Sequence, residues 1–189
     1  MNGFRWHDGE RVIVFGRGSL ASAASELLGS GFTLLTTPRF DLPGAGTVVH
    51  VGPGRVDELA GALRASGRID AELLVALGGG RVIDVAKALC ASGRVHGRRV
   101  AAIPTTLSGA EMTAIHRQAA GVRPGRGVRP AIVINDPELS ASQPLPELAA
   151  SAANALGHAV EGPLTPLGNP VARLAAAESV RQHAELGTQ

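Results

Sequence analysis

The sequence has few aromatic side chains: phenylalanine, tryptophan and tyrosine make up 3% of its 189 residues, and tyrosine is absent. Proteins that bind single-stranded nucleic acids stack the bases on aromatic side chains. The net charge is only +2, so a strong attraction to phosphate backbones is missing as well. We therefore expect no nucleic-acid partner.

Cysteine and lysine are also scarce, since Cys90 and Lys87 are the only examples of each. A single cysteine excludes a disulfide within the chain and a metal site built from several thiolates. Cys90 lies in an apolar stretch, where a free cysteine usually behaves as a small buried hydrophobic side chain. The preference for arginine over lysine is interpreted as a composition bias.

Long hydrophobic runs are missing too. No apolar stretch approaches the ~20 residues of a membrane-spanning helix, and no basic-then-apolar secretion signal opens the sequence. Hydrophobic residues nevertheless make up 44% and charged residues 18%, as is typical of a globular protein with a buried core. We expect a cytoplasmic protein that does not contact membranes.

Short apolar strands alternate with amphipathic helices over residues 1–140. The predicted strands are 11–15, 32–36, 47–51, 72–77, 99–103 and 130–135, and the predicted helices are 20–28, 56–65 and 82–90, the first with Ser19 as its N-cap. Continuous apolar strands that alternate with helices favour an α/β domain with a parallel sheet covered on both faces.

One connection in this pattern is short. Only the ten residues from Thr37 to Gly46 separate two predicted strands, whereas a parallel crossover normally needs about a dozen or more. Either the two strands pair differently, or this lobe of the domain is trimmed.

Residues 141–189 have a different character, because they are rich in alanine and carry no strand signal. Helices are predicted over 146–161 and 170–186, with a loop from Gly162 to Asn169 between them. Pro146 and Pro170 fall in first turns, where helices tolerate proline. The sequence therefore predicts a second, helical domain over 141–189.

Gly78, Gly79 and Gly80 join a predicted strand to a predicted helix. Such glycines let the backbone approach a phosphate closely, and a helix N-terminus supplies free N–H groups. Arg81 adds a positive charge, and Asp84 is expected within the first turn, where it could cap or order that turn. The pattern favours a phosphate site, although a tight turn without a ligand is the alternative.

A second polar cluster follows the next predicted strand. Thr105, Thr106, Ser108 and Thr113 carry hydroxyl groups in the run from Ile103 to Thr113. Because ligands of open α/β sheets bind at the carboxyl ends of the strands, these hydroxyls could bind ribose, phosphate or a carboxamide. The alternative is a polar turn that bonds its own backbone.

Two further features have a structural and a functional interpretation. Asn154 and His158 share one face of a predicted helix, but an isolated histidine is usually structural. Arg123, Arg126 and Arg129 lie in the glycine-containing segment 121–129. Guanidinium groups suit carboxylate substrates, and a solvated surface loop is the alternative.

Four runs occur in the same order as in the iron-containing alcohol dehydrogenase superfamily. They are LGGGRVIDVAK (77–87), IPTTLSGAEMT (103–113), INDPEL (134–139) and NALGHAVEG (154–162). Within that superfamily the sequence resembles the maleylacetate reductases and related bacterial short forms. The resemblance covers most of residues 70–185, and residues 1–69 match in outline.

The resemblance implies a Rossmann-like dinucleotide-binding domain over 1–140, followed by the start of an all-helical domain, with the active site in the cleft between them. The glycines 78–80 would hold the pyrophosphate of NAD or NADP. Thr105, Thr106 and Ser108 would lie along the diphosphate and the nicotinamide ribose, and Asp84 would lie beneath the nicotinamide half.

The resemblance also places the adenosine end of the cofactor at the segment from Thr37 to Gly46. We therefore count Thr36 and Thr37 among the expected cofactor-binding residues. Arg39 could pair with a 2′-phosphate, which would favour NADPH.

In metal-dependent members of the superfamily, an aspartate and a histidine four residues later bind the metal, and Asn154 and His158 occupy these places here. An amide is a poorer ligand for a divalent cation than a carboxylate, and the maleylacetate reductases resemble this sequence in carrying asparagine. We therefore expect no metal. His158 would then donate a proton or orient the substrate, with Asn154 beside it as the second catalytic candidate.

The implied function is hydride transfer from NADH or NADPH to the carbonyl group or activated alkene of a small substrate, possibly an acid. The family's helical domain continues beyond the two helices predicted here. An alternative is therefore a non-catalytic cofactor-binding or interaction module that needs a partner to complete the cleft. We expect a homo-oligomer.

Overall fold

A computed structural model of the chain describes residues 3–93, 97–123, 125–166 and 168–186. Its elements, in chain order, are β1 (Phe4–Asp8), β2 (Arg11–Phe15), α1 (Ser19–Leu28), β3 (Phe32–Thr36), β4 (Ala45–His50), α2 (Val56–Ser66), β5 (Leu73–Gly78), α3 (Gly80–Ala91), β6 (Arg99–Pro104), β7 (Ile132–Asn135), α4 (Pro137–Ala141), α5 (Leu145–Glu161), a 3-10 helix (Gly162–Leu164) and α6 (Pro170–Leu186). Within the described residues, no helix combines the length and the apolar character that crossing a membrane requires.

The seven strands form one sheet in the order β1-β2-β7-β6-β5-β3-β4. β1 is antiparallel to β2, and all the other neighbouring strands are parallel. Every residue of β3 is buried, as are all those of β5 after its first residue. Strands that are buried on both faces need the continuous apolar runs seen in the sequence. The prediction of an α/β fold with a parallel sheet is confirmed.

Helices cover both faces of the sheet. On one face, α2 and α3 pack over a core that includes Leu74, Ala76 and Val100. On the other face, α1 packs over a core that includes Val75 and Leu77. Successive side chains of a strand point to opposite faces, so β5 contributes to both cores. The carboxyl ends of the central strands are therefore held from two sides.

The first strand was not predicted. β1 pairs with β2 from Phe4 opposite Phe15 to Asp8 opposite Arg11, and two residues form the turn. β1 is mostly exposed, so no apolar run marked it. The Asp8–Gly9 dipeptide, a common hairpin turn signal, was the available indication.

Two details of the helices also correct the prediction. Gly18 is the N-cap of α1, while Ser19 is already helical and makes no side-chain cap bond. The short helix α4 was not predicted either; it begins after Asp136, whose carboxylate accepts a hydrogen bond from the Glu138 N–H at 3.1 Å. At the N-cap of α1, Gly18 has a left-handed backbone conformation. Glycine adopts this conformation more readily than serine because it has no side chain.

β3 and β4 are parallel neighbours, although only eight residues, 37–44, connect them. All eight are described, and none is helical. The register shifts at the start of the pair, where Phe32 lies opposite Ala45 and Thr33 opposite Thr47. Of the two alternatives, the trimmed lobe is therefore correct: the strands keep their parallel pairing, and the crossover lacks a helix.

The chain divides into two compact units, Met1–Gln143 and Pro144–Gln189. The second unit contains α5, the 3-10 helix and α6, and the 3-10 helix occupies part of the segment that was predicted as a loop. No residue of α5 is buried. Leu145, Leu164, Val171 and Leu174 are between 73% and 80% exposed, so this unit buries little apolar surface by itself.

Candidate functional site

The glycine turn lies at the carboxyl end of β5, where Gly78 ends the strand and Gly79 precedes α3. The Gly79 carbonyl accepts hydrogen bonds from the N–H groups of Val82 (2.9 Å) and Ile83 (3.3 Å), which closes the first turn of the helix. No described side chain caps this helix end, and its first turn has no acidic residue. The first N–H groups of α3 and the positive end of its dipole are therefore available to an anion.

Polar side chains of the next loop lie directly against this turn. A Cβ atom on Gly79 would lie 3.0 Å from Cγ2 of Thr106, and one on Gly80 would lie 2.9 Å from Oγ of Ser108. Any larger residue at these positions would displace the hydroxyl-bearing side chains. The structure thus brings together the two clusters that the sequence predicted at one edge of the sheet.

Thr105, Thr106 and Ser108 follow β6 in that loop. Thr105 is buried, and its N–H donates to the carbonyl of Gly78 over 3.1 Å, which ties the loop to the glycine turn. The Thr106 hydroxyl is buried and has no hydrogen-bond partner among the described residues. The Ser108 hydroxyl accepts a long bond of 3.4 Å from the Ala110 N–H. Ser108 therefore takes the turn-forming role, and the binding of a cofactor by Thr105, Thr106 and Ser108 stays a prediction.

Asp84 lies beyond the first turn of α3, because the helix begins at Gly80. The predicted capping role is therefore wrong. Its carboxylate instead accepts a hydrogen bond from Nζ of Lys87 at 2.9 Å. Lys87 is fully buried, and its ammonium also donates to the carbonyl oxygens of Ala110 (3.0 Å) and Ile115 (2.7 Å). Three acceptors match the three donors of the buried ammonium group.

Sequence reasoning missed this role of Lys87. The side chain connects α3, which carries the glycine turn, with the loop that carries the hydroxyl groups. The one available signal was a lysine surrounded by apolar residues three positions after Asp84. Its carbonyl partners lie 23 and 28 residues further along the chain, a distance over which sequence periodicity carries no information.

Arg11 of β2 holds the same loop at a second point. Its guanidinium group donates to the carbonyls of Pro130 (2.9 Å) and Glu111 (3.3 Å) and to the Asp8 carboxylate (2.8 Å). The Glu111 side chain is buried, and its Oε2 atom has no hydrogen-bond partner in the part of the chain that the structure describes. Burial raises the pKa of this carboxyl, in spite of the opposing effects of its own backbone N–H and of Lys87.

Thr36 ends β3 at the same edge of the sheet, beside Leu77 of β5. It is fully buried, and its hydroxyl donates a long bond of 3.4 Å to the carbonyl of Thr37. Arg39 is exposed and donates to the Ser142 carbonyl at 2.9 Å. Binding of adenosine at Thr36 and Thr37, and of a 2′-phosphate at Arg39, stays a prediction.

Asn154 and His158 lie in α5, in the second unit, one helical turn apart and both exposed. Their catalytic role stays a prediction. In the described parts of the chain, no group of three or more histidine, cysteine, aspartate or glutamate side chains is placed to hold a metal ion. An amide and one imidazole are a poor set of ligands for a divalent cation, so we derive no step through a metal.

The remaining candidates have structural roles or exposed positions. Cys90 is half-buried against the core under α3, and burial raises the pKa of its thiol.

Arg123, Arg126 and Arg129 are exposed, and Arg129 lies 3.6 Å from the Asp8 carboxylate. Residue 124 of this segment lies outside the described residues. The arginines fit a solvated loop, and their contact with an acidic substrate stays a prediction.

A family model for iron-containing alcohol dehydrogenases matches residues 47–137, a range that contains the glycine turn and the hydroxyl-bearing loop. Maleylacetate reductase 2 of Cupriavidus pinatubonensis is 37% identical over 207 aligned positions, which cover 98% of this chain and 56% of that protein. The maleylacetate reductase of Sphingobium indicum is 34% identical and covers 89% of this chain and 52% of that protein. This chain spans about half the length of these curated relatives.

The crystal structure of maleylacetate reductase from Agrobacterium tumefaciens matches with a TM-score of 0.68 at 30% identity, covering 93% of this chain and 55% of that one. The 207 positions aligned with the Cupriavidus protein exceed the 189 residues of this chain, so that relative carries additional residues within the matched region. The Rossmann-like fold predicted from the resemblance is confirmed. By its motifs, its fold and these matches, the chain belongs to the iron-containing alcohol dehydrogenase superfamily and is similar to the maleylacetate reductases.

Proposed function

We propose that this chain is the cofactor-binding part of an NAD(P)H-dependent reductase of the maleylacetate reductase type. Its substrate would be a small, acidic molecule with a carbonyl group or an activated alkene. The observation that carries the proposal is the packing of Gly79 and Gly80 against Thr106 and Ser108 at the uncapped N-terminus of α3.

Three properties of this turn fit a pyrophosphate group. Its glycines let the loop of Thr106 and Ser108 lie close to the turn, its helix end offers N–H groups that lack intrahelical acceptors, and its first turn contains no acidic residue that would repel phosphate. The Thr106 hydroxyl, buried and without a partner in the described residues, adds a donor beside Gly79.

A nicotinamide held at this site would supply the hydride. The chain itself would position the reacting groups: the glycine turn through the diphosphate, and Thr105 and Thr106 through the adjoining loop. We assign His158 the donation of a proton to the reduced substrate, with Asn154 orienting the substrate. Asn154 offers a metal only an amide oxygen, so we propose that the reaction needs no metal.

Titration with NADH and NADPH, followed through the fluorescence of the bound nicotinamide, tests the cofactor site. We expect saturable binding that the Gly79→Asp variant weakens by about tenfold or more, because a carboxylate beside the diphosphate adds repulsion. The matched Gly79→Asn variant displaces the Thr106 side chain in the same way but adds no charge, so the additional loss in Gly79→Asp measures the repulsion.

Equal losses in the two Gly79 variants would assign the effect to space alone. Unchanged binding by Gly79→Asp would exclude a diphosphate at this turn. If the wild-type chain binds neither cofactor, the proposal fails. If it binds one, reduction of maleylacetate and of related acids is the next measurement.

A second candidate is a cofactor-binding module that catalyses nothing until a partner completes its cleft. The exposed apolar side chains of the second unit, among them Leu164 and Leu174, favour association, and a second copy of the chain is the partner we propose. In this case NADH binds, but turnover appears only in the associated form. Light scattering of the eluting protein, combined with assays of each fraction, separates the two candidates.

A further inference from the structure

One cavity of the first unit does not involve the glycine turn. It has a volume of about 710 Å³ and lies beside α1, and none of residues 78–80 or 105–108 lines it. Cavities of roughly 300–1,000 Å³ are typical of sites for small molecules. Its apolar wall is formed by Leu20, Ala24 and Leu28 of α1, by Phe32 of β3, and by Leu42 and Pro43 of the β3–β4 connection.

The short connection between β3 and β4 accounts for this cavity. A parallel crossover usually carries a helix that packs on the sheet, and here eight non-helical residues take its place. Leu20, Ala24 and Leu28 follow each other at intervals of four and therefore form one face of α1, about 12 Å long at 1.5 Å per residue. That face lines the cavity instead of packing against a crossover helix.

The charged groups of the cavity are all acidic. Asp41, Asp136 and Glu138 line it, and no lysine, arginine or histidine is among its described lining residues. Asp136 is only 4% exposed. Its carboxylate accepts hydrogen bonds from the N–H groups of Leu20 (3.2 Å) and Glu138 (3.1 Å), which fix it in the wall.

The two other carboxylates are more accessible. Asp41 accepts a bond from the Leu42 N–H at 2.8 Å through one oxygen. Glu138 has a 59% exposed side chain, and its nearest cation, Arg17, lies 3.8 Å away and is 83% exposed. Such a distant, exposed pair contributes little, so a ligand can replace Arg17 as the partner of Glu138.

We propose that this cavity is a binding site for a small organic cation with an apolar body, such as an arylalkylamine. The apolar wall would bury the body, and the exposed carboxylates of Asp41 and Glu138 would pair with the ammonium group, while the buried Asp136 adds to the negative charge of the cavity. The three carboxylates would repel an anion, and a neutral ligand of the same shape would bind more weakly because it makes no ion pair. This inference is independent of the proposed nicotinamide site.

The test compares three compounds with the same phenylbutyl body: 4-phenylbutylamine, 4-phenylbutanol and 4-phenylbutanoate. Isothermal titration calorimetry of the full chain at low ionic strength near neutral pH measures their affinities. We expect one amine per chain, with a dissociation constant about tenfold or more below that of the alcohol, and no measurable heat from the acid. Equal affinities of amine and alcohol, or no binding of the amine, would overturn the proposal.

Variants locate the site. Ala24→Phe places a ring in the cavity and should abolish amine binding, whereas Ala62→Phe on the exposed face of α2 should leave it unchanged. Glu138→Gln keeps the volume and should weaken the amine several-fold without affecting the alcohol. Undiminished amine binding by both Ala24→Phe and Glu138→Gln would refute the location. NADH titration of the same variants, expected to be unchanged, keeps this outcome separate from that of the cofactor site.

Discussion

The two units of the chain differ in how well each buries its own apolar side chains. The first unit has two cores, one on each face of its sheet, and residues such as Leu34 and Leu74 are completely buried. In the second unit, α5 has no buried residue, and Leu164 and Leu174 are 80% and 73% exposed. Exposed apolar patches usually mark surfaces that another element or partner covers.

The candidate cofactor-binding residues and the candidate catalytic residues lie in different units. The glycine turn and the hydroxyl-bearing loop belong to the well-buried unit, where Lys87 and Arg11 fix the loop through its carbonyl groups. Asn154 and His158 belong to the helix without buried residues. We therefore expect cofactor binding to persist under denaturing conditions that already unfold α5 and so abolish proton donation by His158.

Truncation of one leucine in each unit gives the largest contrast. Leu74→Ala removes a completely buried side chain and should lower the free energy of unfolding by about 2–5 kcal/mol. Leu174→Ala removes a side chain that is 73% exposed and should change the free energy of unfolding by less than about 0.5 kcal/mol. Urea unfolding followed by circular dichroism measures both. If Leu174→Ala lost as much unfolding free energy as Leu74→Ala, α6 would be buried in solution, and the two units would not differ in burial.

Replacement of Lys87 tests whether the first unit fixes its loop through buried polar contacts. Lys87→Met leaves Asp84 and the carbonyls of Ala110 and Ile115 without their donor. We expect a loss of about 1–3 kcal/mol in unfolding free energy, together with weaker NADH binding. Arg173→Met, at an exposed position of α6, is the control in the second unit. If NADH binding stays normal in Lys87→Met, the loop is held by other contacts.

The pH dependence of Glu111 gives the smallest expected effect. Burial raises the pKa of this carboxyl in the fold, so the folded state favours the protonated form. The stability that this preference contributes is complete below the ordinary glutamate pKa of 4.5 and is lost as the pH rises through the raised value. The free energy of unfolding of Glu111→Gln should therefore match that of the wild type at about pH 4 and exceed it at about pH 8.

Thermal unfolding at the two pH values measures this effect. A gain of about 1 kcal/mol corresponds to roughly 2–4 °C for a chain of this size. Glu147→Gln, at an exposed position of α5, should show no such pH-dependent gain. A Glu111→Gln variant that is less stable than the wild type at the higher pH would mean that the ionised carboxylate is paired in solution.

The central elements could be predicted from the sequence because burial on both faces leaves a continuous apolar run. β5 and β6 are examples, and the glycine turn and hydroxyl loop follow them directly. β1 escaped prediction because its side chains are mostly exposed and its partner strand determines its conformation. The contacts of Lys87 and the cavity beside α1 depend on segments far apart in the chain, which no local pattern reveals.

The burial of Lys87 has a practical consequence for chemical labelling. It is the only lysine in the sequence, it is fully buried, and its ammonium group is engaged by three oxygens. Acylating reagents require an accessible amine, so the folded chain presents no lysine to them. Acylation of this one side chain, followed by mass spectrometry of the peptide around it, would report directly how often α3 separates from the loop that covers it.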